Sequence, residues 1–158
     1  MRVSFLDGTI ELMAPSYEHE SRKSQIGWLL KLYLVEKDID VFAHGSTTLQ
    51  KSFKKAGKEP DESFCFYRQK KIPDLAIEVA ITSGGIDTLE IYRRWAIPEV
   101  WIWQRDALQV FILEDEVYTK NRASRWFPDL DLKLLSECAK IESVLQARKK
   151  FLAGLAKS

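Results

Sequence analysis

Apolar residues run in short β-prone stretches along most of the chain and fall at helical spacing in three places. Arg2–Leu6 and Thr9–Met13 flank Asp7-Gly8, a strong hairpin signal. Ser16 can then cap a helix, with His19 where a capping box would carry Glu. The spacing of Ile26, Leu29, Leu30, Tyr33 and Leu34 predicts one amphipathic helix over Glu18–Lys37. Ile39–Ala43 and Ser46–Gln50 read as strands around His44-Gly45, and the lysine-rich Lys51–Lys58 as a mobile loop. Phe64–Tyr67 and Leu75–Ile81 read as a hairpin across Arg68–Lys71 and Pro73. Thr82-Ser83-Gly84-Gly85 predicts a turn, after which Asp87 caps a helix, Thr88–Trp95, that stops before Pro98. Val100–Trp103, Leu108–Leu113 and a weaker Glu116–Lys120 are further strands, and Leu134–Leu155 reads as one final amphipathic helix. That order predicts a mixed-sheet α/β fold.

Composition narrows the class. A chain of 158 residues, 46% hydrophobic, has apolar surface enough for the core of one domain spanning 1–158. A net charge of +1 gives no global pull toward nucleic acid or membrane, so a polyanion site must come from local clustering. Cys65 and Cys138 stand far apart with no zinc-ligand spacing, which fits a reducing cytoplasm. No stretch is long and apolar enough to predict a membrane span.

The candidate chemistry lies in the Pro60–Ile81 hairpin. Strand alternation puts Asp61, Ser63, Cys65 and Tyr67 on one face, and Asp74, Ala76, Glu78 and Ala80 on one face of the partner strand. Leu75, Ile77, Val79 and Ile81 form the other face, so Glu78 is expected in a largely buried strand. A buried carboxylate needs a counter-charge: a shared cation would serve, and so would an ion pair with Arg93 or Arg94. Glu20 flanks the apolar stripe of the first helix on the same side as Gly27. There the helix can approach a sheet closely, which predicts that Glu20 points at the hairpin rather than into water.

Taken in order, Glu20 on a helix, PDESF, PDLAIEV, and TSGGID leading into IYRRWAIPEVWIW resemble the bacterial restriction-endonuclease-like family catalogued as domain-of-unknown-function family 820. That family belongs to the PD-(D/E)xK nuclease superfamily, and the resemblance spans roughly residues 5 to 115. It implies a restriction-endonuclease-like mixed β-sheet flanked by helices. It also implies hydrolysis of DNA phosphodiesters with Mg2+, or Mn2+, held by Asp61 and Glu78, with Glu20 taking a second ion or the water on the first. Members usually carry a further segment ahead of the Asp7-Gly8 hairpin, so a start upstream of Met1 is expected. Restriction-type nucleases often act as dimers, so a homodimer is an expectation of the same kind.

The superfamily's lysine would stand two residues after Glu78, where this chain has Ala80, or just after the GGID turn, where it has Thr88. Thr88 cannot carry the charge that positions a hydroxide and offsets charge on the scissile phosphate. Arg93, Lys70, Lys71 and Lys23 are the candidates to replace it, and Arg68, Lys70, Lys71 and Arg93 the candidates for phosphate contacts. Simpler accounts stand beside these. Asp61 follows Pro60 as turn residues often do, Glu20 suits a helix N-terminus, and the basic clusters suit solvated faces. Three readings follow: an Mg2+-dependent DNA endonuclease; a catalytically lapsed nuclease fold that binds nucleic acid or protein; and an interaction domain dimerising through Val100–Leu113 or the last helix.

Overall fold

The computed structural model describes residues 1–46, 49–51, 55–81 and 85–156. The chain opens with β1 (Arg2–Leu6) and β2 (Thr9–Met13), paired antiparallel. Their turn residues Asp7 and Gly8 both have positive φ, 47° and 90°, the backbone that a two-residue hairpin loop requires. Next come α1 (Tyr17–Glu36), β3 (Val41–Ala43), β4 (Leu49–Lys51), β5 (Ala56–Lys58), β6 (Glu62–Phe66) and β7 (Leu75–Val79). The series closes with α2 (Thr88–Arg94), β8 (Glu99–Gln104), β9 (Ala107–Glu114), β10 (Val117–Asn121), α3 (Leu132–Ala139) and α4 (Val144–Leu155).

The strands form a large sheet of order β10-β9-β8-β7-β6-β3 and a small one of order β2-β1-β5-β4. Every pairing is antiparallel except β7 with β8, which α2 joins as a crossover. Alternation sorts the large sheet as expected. Leu75, Ile77, Val79, Trp101 and Trp103 pack in one core with buried residues of α1, α3 and α4. Ala76 and Val100 pack in a second with Ile91, Tyr92 and Trp95 of the α2 segment and with Ala56 of the small sheet. This is the mixed-sheet α/β fold that the pattern predicts.

Several predicted boundaries differ, β3 starting at Val41 and β4 spanning Leu49–Lys51 among them. Tyr67, with φ of 66°, turns out of β6 into solvent, and β7 ends at Val79, so Ile81 lies outside the strand. Within the run read as a mobile loop, Ala56–Lys58 is a strand, wedged between β1 and β4. The single final helix is two, because Ser143 caps a new one through its Oγ and Gln146 N. The break is tolerable because Gln25 of α1 donates to the Ile141 and Glu142 carbonyls at 2.7 and 3.1 Å. Of the predicted elements, residues 47–48 of the Ser46–Gln50 strand, 52–54 of the loop and 82–84 of the turn lie outside the described residues.

A buried carboxylate holds the large sheet to the segment after β10. Glu99 accepts from Trp101 Nε1 at 2.5 Å, Ser124 Oγ at 2.6 Å and Arg125 N at 2.8 Å. The same segment seats Phe127 edge-on against Tyr33, Phe66 and Trp101. Glu99→Ala leaves those donors without their acceptor and is expected to lower stability by about 3 kcal/mol, read as a shift in the urea midpoint.

Candidate active site

The β6–β7 register pairs Glu62 with Ile77 and Ser63 with Ala76, so the next step brings Asp61 to the level of Glu78. Asp61 N closes the ladder on Ile77 O at 3.1 Å, and its Oδ2 accepts the Val79 N–H at 2.7 Å, the last of β7. A backbone donor at a strand end thereby gains an acceptor and fixes the carboxylate. Both acids are buried, Asp61 to 2% and Glu78 to 7% exposure.

Each is met by its own cation. Arg2 Nη1 of β1 contacts Asp61 Oδ1, which makes no hydrogen bond, and Arg2 Nη2 lies 3.8 Å from Glu20 Oε1. His19, buried in the first turn of α1, has Nε2 3.2 Å from Asp61 Oδ2 and Nδ1 3.1 Å from Glu20 Oε1. Ser16 Oγ holds that turn by accepting from His19 N at 3.1 Å. Lys58 Nζ of β5 lies 3.4 Å from Glu78 Oε2 and 3.3 Å from Ser4 Oγ. The Tyr92 hydroxyl of α2 donates to Glu78 Oε1.

These surroundings drive the two carboxyls apart. Burial, with the nearby Asp61 charge adding to it, pushes Glu78 up to about 7 against the opposing pull of Lys58 and Tyr92. Burial acts on Asp61 in the same direction, but His19, the Val79 N–H and Arg2 together outweigh it and hold the carboxyl below its ordinary value. The Asp61 carboxylate in turn raises the pKa of His19 against the effect of burial. One acid is thus kept ionised and its neighbour is poised near neutrality.

Glu78, Lys58 and His19 line an open cleft of about 680 Å³, together with Thr88, the first residue of α2. Among the predicted residues, the structure brings Asp61, Glu78 and, through Arg2, Glu20 together. Glu20 is 48% exposed, at the rim, not directed away from water, and Lys23 Nζ lies 3.4 Å from it. Gly27 approaches the sheet as expected, with a Cβ there falling 3.1 Å from the Glu62 carboxyl carbon.

Arg68, Lys70 and Lys71 sit on the closed end of the hairpin, a five-residue strand, about 17 Å, from Asp61. Lys70 is also bonded to Asp74 at 2.6 Å. Arg93 pairs with Glu90 at 2.7 Å, and Arg94 with Asp7 and Glu90. The cation beside Glu78 is Lys58 and not, as expected, Arg93 or Arg94. His19, Arg2, Lys58 and Tyr92 are the residues the sequence reading missed. Only His19 carried a signal, standing where a capping box expects an acid.

A hard cation that keeps several waters needs only one or two carboxylates. Asp61 Oδ1, which Arg2 meets as an ion pair and nothing meets as a hydrogen bond, and the adjacent Glu78 fit that demand, with side-chain cations drawn to both. Among the described residues no three His, Cys, Asp or Glu side chains converge as a metal cage. None of the described helices is long and apolar enough to cross a membrane.

Comparison with known proteins agrees with this architecture. The chain is similar, at 13% identity and a TM-score of 0.58, to the crystal structure of "a putative nuclease belonging to DUF820" from Anabaena variabilis, with 85% of this chain and 89% of that one covered. No curated protein matches. The family described as "Uma2: Putative restriction endonuclease" matches residues 1–142. The chain therefore belongs to the Uma2 family and carries the restriction-endonuclease-like fold of its structural relative.

Proposed function

We propose that the protein is a divalent-metal-dependent DNA endonuclease whose ion is held by Asp61 and Glu78, with Glu20 at the rim. One observation carries this reading: two buried carboxylates on adjacent strands, at one level of the ladder, with a lysine ammonium 3.4 Å from one of them beside an open cleft. Restriction-endonuclease-like families use divalent ions, and an ion bound here would supply Lewis-acid polarisation of a phosphoryl oxygen.

The chain's own residues do the rest. His19 and the Val79 N–H orient Asp61, and Tyr92 orients Glu78. Arg2 balances the charge of Asp61 while no ion does. Lys58 takes the cationic role that Thr88, on the same cleft, cannot fill. Its ammonium is held by Ser4 and Glu78, so it meets charge building on a phosphate without reorganisation.

Plasmid nicking in Mg2+ or Mn2+, blocked by EDTA, together with calorimetric binding of the ion to wild type and not to Glu78→Ala, is the expected result. A folded protein that binds neither ion would refute it. The internal cations on both acids favour one second reading, a lapsed nuclease fold that holds nucleic acid without cutting it. DNA binding that survives chelation, with no nicking under any divalent ion, selects that alternative.

A further inference from the structure

We propose that a second cleft, next to the first, is the track for the phosphate backbone of duplex DNA flanking the cut site. The inference rests on the nuclease reading and adds where its substrate lies. The cleft, of about 620 Å³, opens between the β8–β9 turn, the end of β10 and α3. Arg105, Lys120, Arg122, Lys133 and Lys140 line it, all exposed, and none forms a side-chain ion pair or hydrogen bond among the described residues. Only two acids share the lining, Asp106 and Glu137, and Glu137 is already engaged by Lys150 at 3.0 Å.

A chain of net charge +1 has gathered five cations from three separate stretches onto one concave surface, with Glu137 the one acid whose charge Lys133 and Lys140 are near enough to feel. A solvated helix face would spread them along one element and pair them with acids. The basic loop of the β6–β7 hairpin shows the contrast, since Lys70 there is bonded to Asp74. Position strengthens the case. Gln104 lines both clefts, and Glu78 of β7 is in register with Ile102, two residues before it. The basic cleft therefore begins about 7 Å along the strand from the level of Glu78. A backbone with one phosphate over the carboxylates would carry its next phosphates onto these cations. Contacts of this kind position a duplex and carry no sequence information.

Fluorescence anisotropy of a labelled DNA duplex in EDTA, titrated with salt, tests it. The triple variant Arg122→Glu/Lys133→Glu/Lys140→Glu should bind far more weakly. Its Gln counterpart, which loses charge without reversing it, should show a salt slope shallower by about 3, near 0.9 per lost phosphate contact. Arg68→Glu/Lys71→Glu should bind as wild type. A circular-dichroism melt verifies folding, and the Gln variant decides if charge reversal unfolds the chain. Unchanged affinity and slope in the Gln variant, no wild-type binding, or binding confined to an RNA duplex overturns the proposal. Wild-type binding through this cleft without nicking upholds it and removes the nuclease reading. Nicking by wild type and Gln variant alike, with equal binding, does the reverse.

Discussion

Lys58→Ala is expected to nick supercoiled plasmid about 10²–10³-fold more slowly than wild type, with the loss in kcat and little change in KM. That is the usual cost of removing one preorganised electrostatic partner of a developing charge. Lys58 is the ammonium held within 3.4 Å of Glu78, and Thr88 opens α2 on the same cleft from another side. The double variant Lys58→Ala/Thr88→Lys should therefore recover at least about tenfold of the lost rate, because charge rather than chain position is what the phosphate feels. A purely structural role for Lys58, holding β5 to Ser4, predicts lost stability and no rescue. Equal rates for wild type and Lys58→Ala would remove Lys58 from the chemistry.

The hairpin that carries Asp61 and Glu78 was legible because its signals are local. Alternation puts Leu75, Ile77 and Val79 on one face, and a polar residue interrupting an apolar strand marks a special position. The caps at Ser16 and Asp87 were legible for the same reason, since a side-chain acceptor three residues before an orphan N–H acts within one turn. Lys58 was not. Ala-Gly-Lys has neither β propensity nor period, and it becomes a strand only because β1 and β4 lie on either side of it. Arg2 and Tyr92 likewise reach the site from elements far apart in sequence, and no spacing rule encodes that meeting. The Arg68–Lys71 loop misled in the opposite sense. Adjacency in sequence to the acidic strands suggested adjacency in space, whereas an antiparallel pair puts its loop at one end and these acids at the other.

The charges at the site have a common logic. In the absence of an ion, burying two neighbouring carboxylates would be prohibitive unless each had a counter-charge. Arg2 and Lys58 supply it, and Asp61 with its extra donors stays ionised while Glu78 retains a proton near neutrality. A divalent ion would do for both acids together what the two side chains do separately, and proton release on binding should accompany it.

Glu78→Gln tests that balance most directly and is expected to abolish nicking while making the metal-free protein more stable at pH 8. In the native chain Glu78 titrates near 7, against 4.5 for an ordinary glutamate. Between those values the folded protein keeps a proton that the unfolded chain has released. The stabilisation is complete below about 4.5, falls as pH rises, and is gone above about 7. The loss is at most about 3 kcal/mol. Glutamine has no proton to lose, and its amide oxygen can still accept from Tyr92, so the variant escapes this decline. His19, whose pKa is also raised, contributes stability that fades at higher pH in both proteins and cancels in the comparison. Thermal melts from pH 5 to pH 8 in EDTA should show wild type losing ground to the variant across that range. Adding Mg2+ at pH 8 should raise the wild-type Tm and leave that of Glu78→Gln nearly unmoved, since only a carboxylate repays the ion's dehydration. Parallel pH curves for the two proteins would mean that Glu78 is already ionised at neutral pH, and that Lys58 and Tyr92 compensate its burial in full.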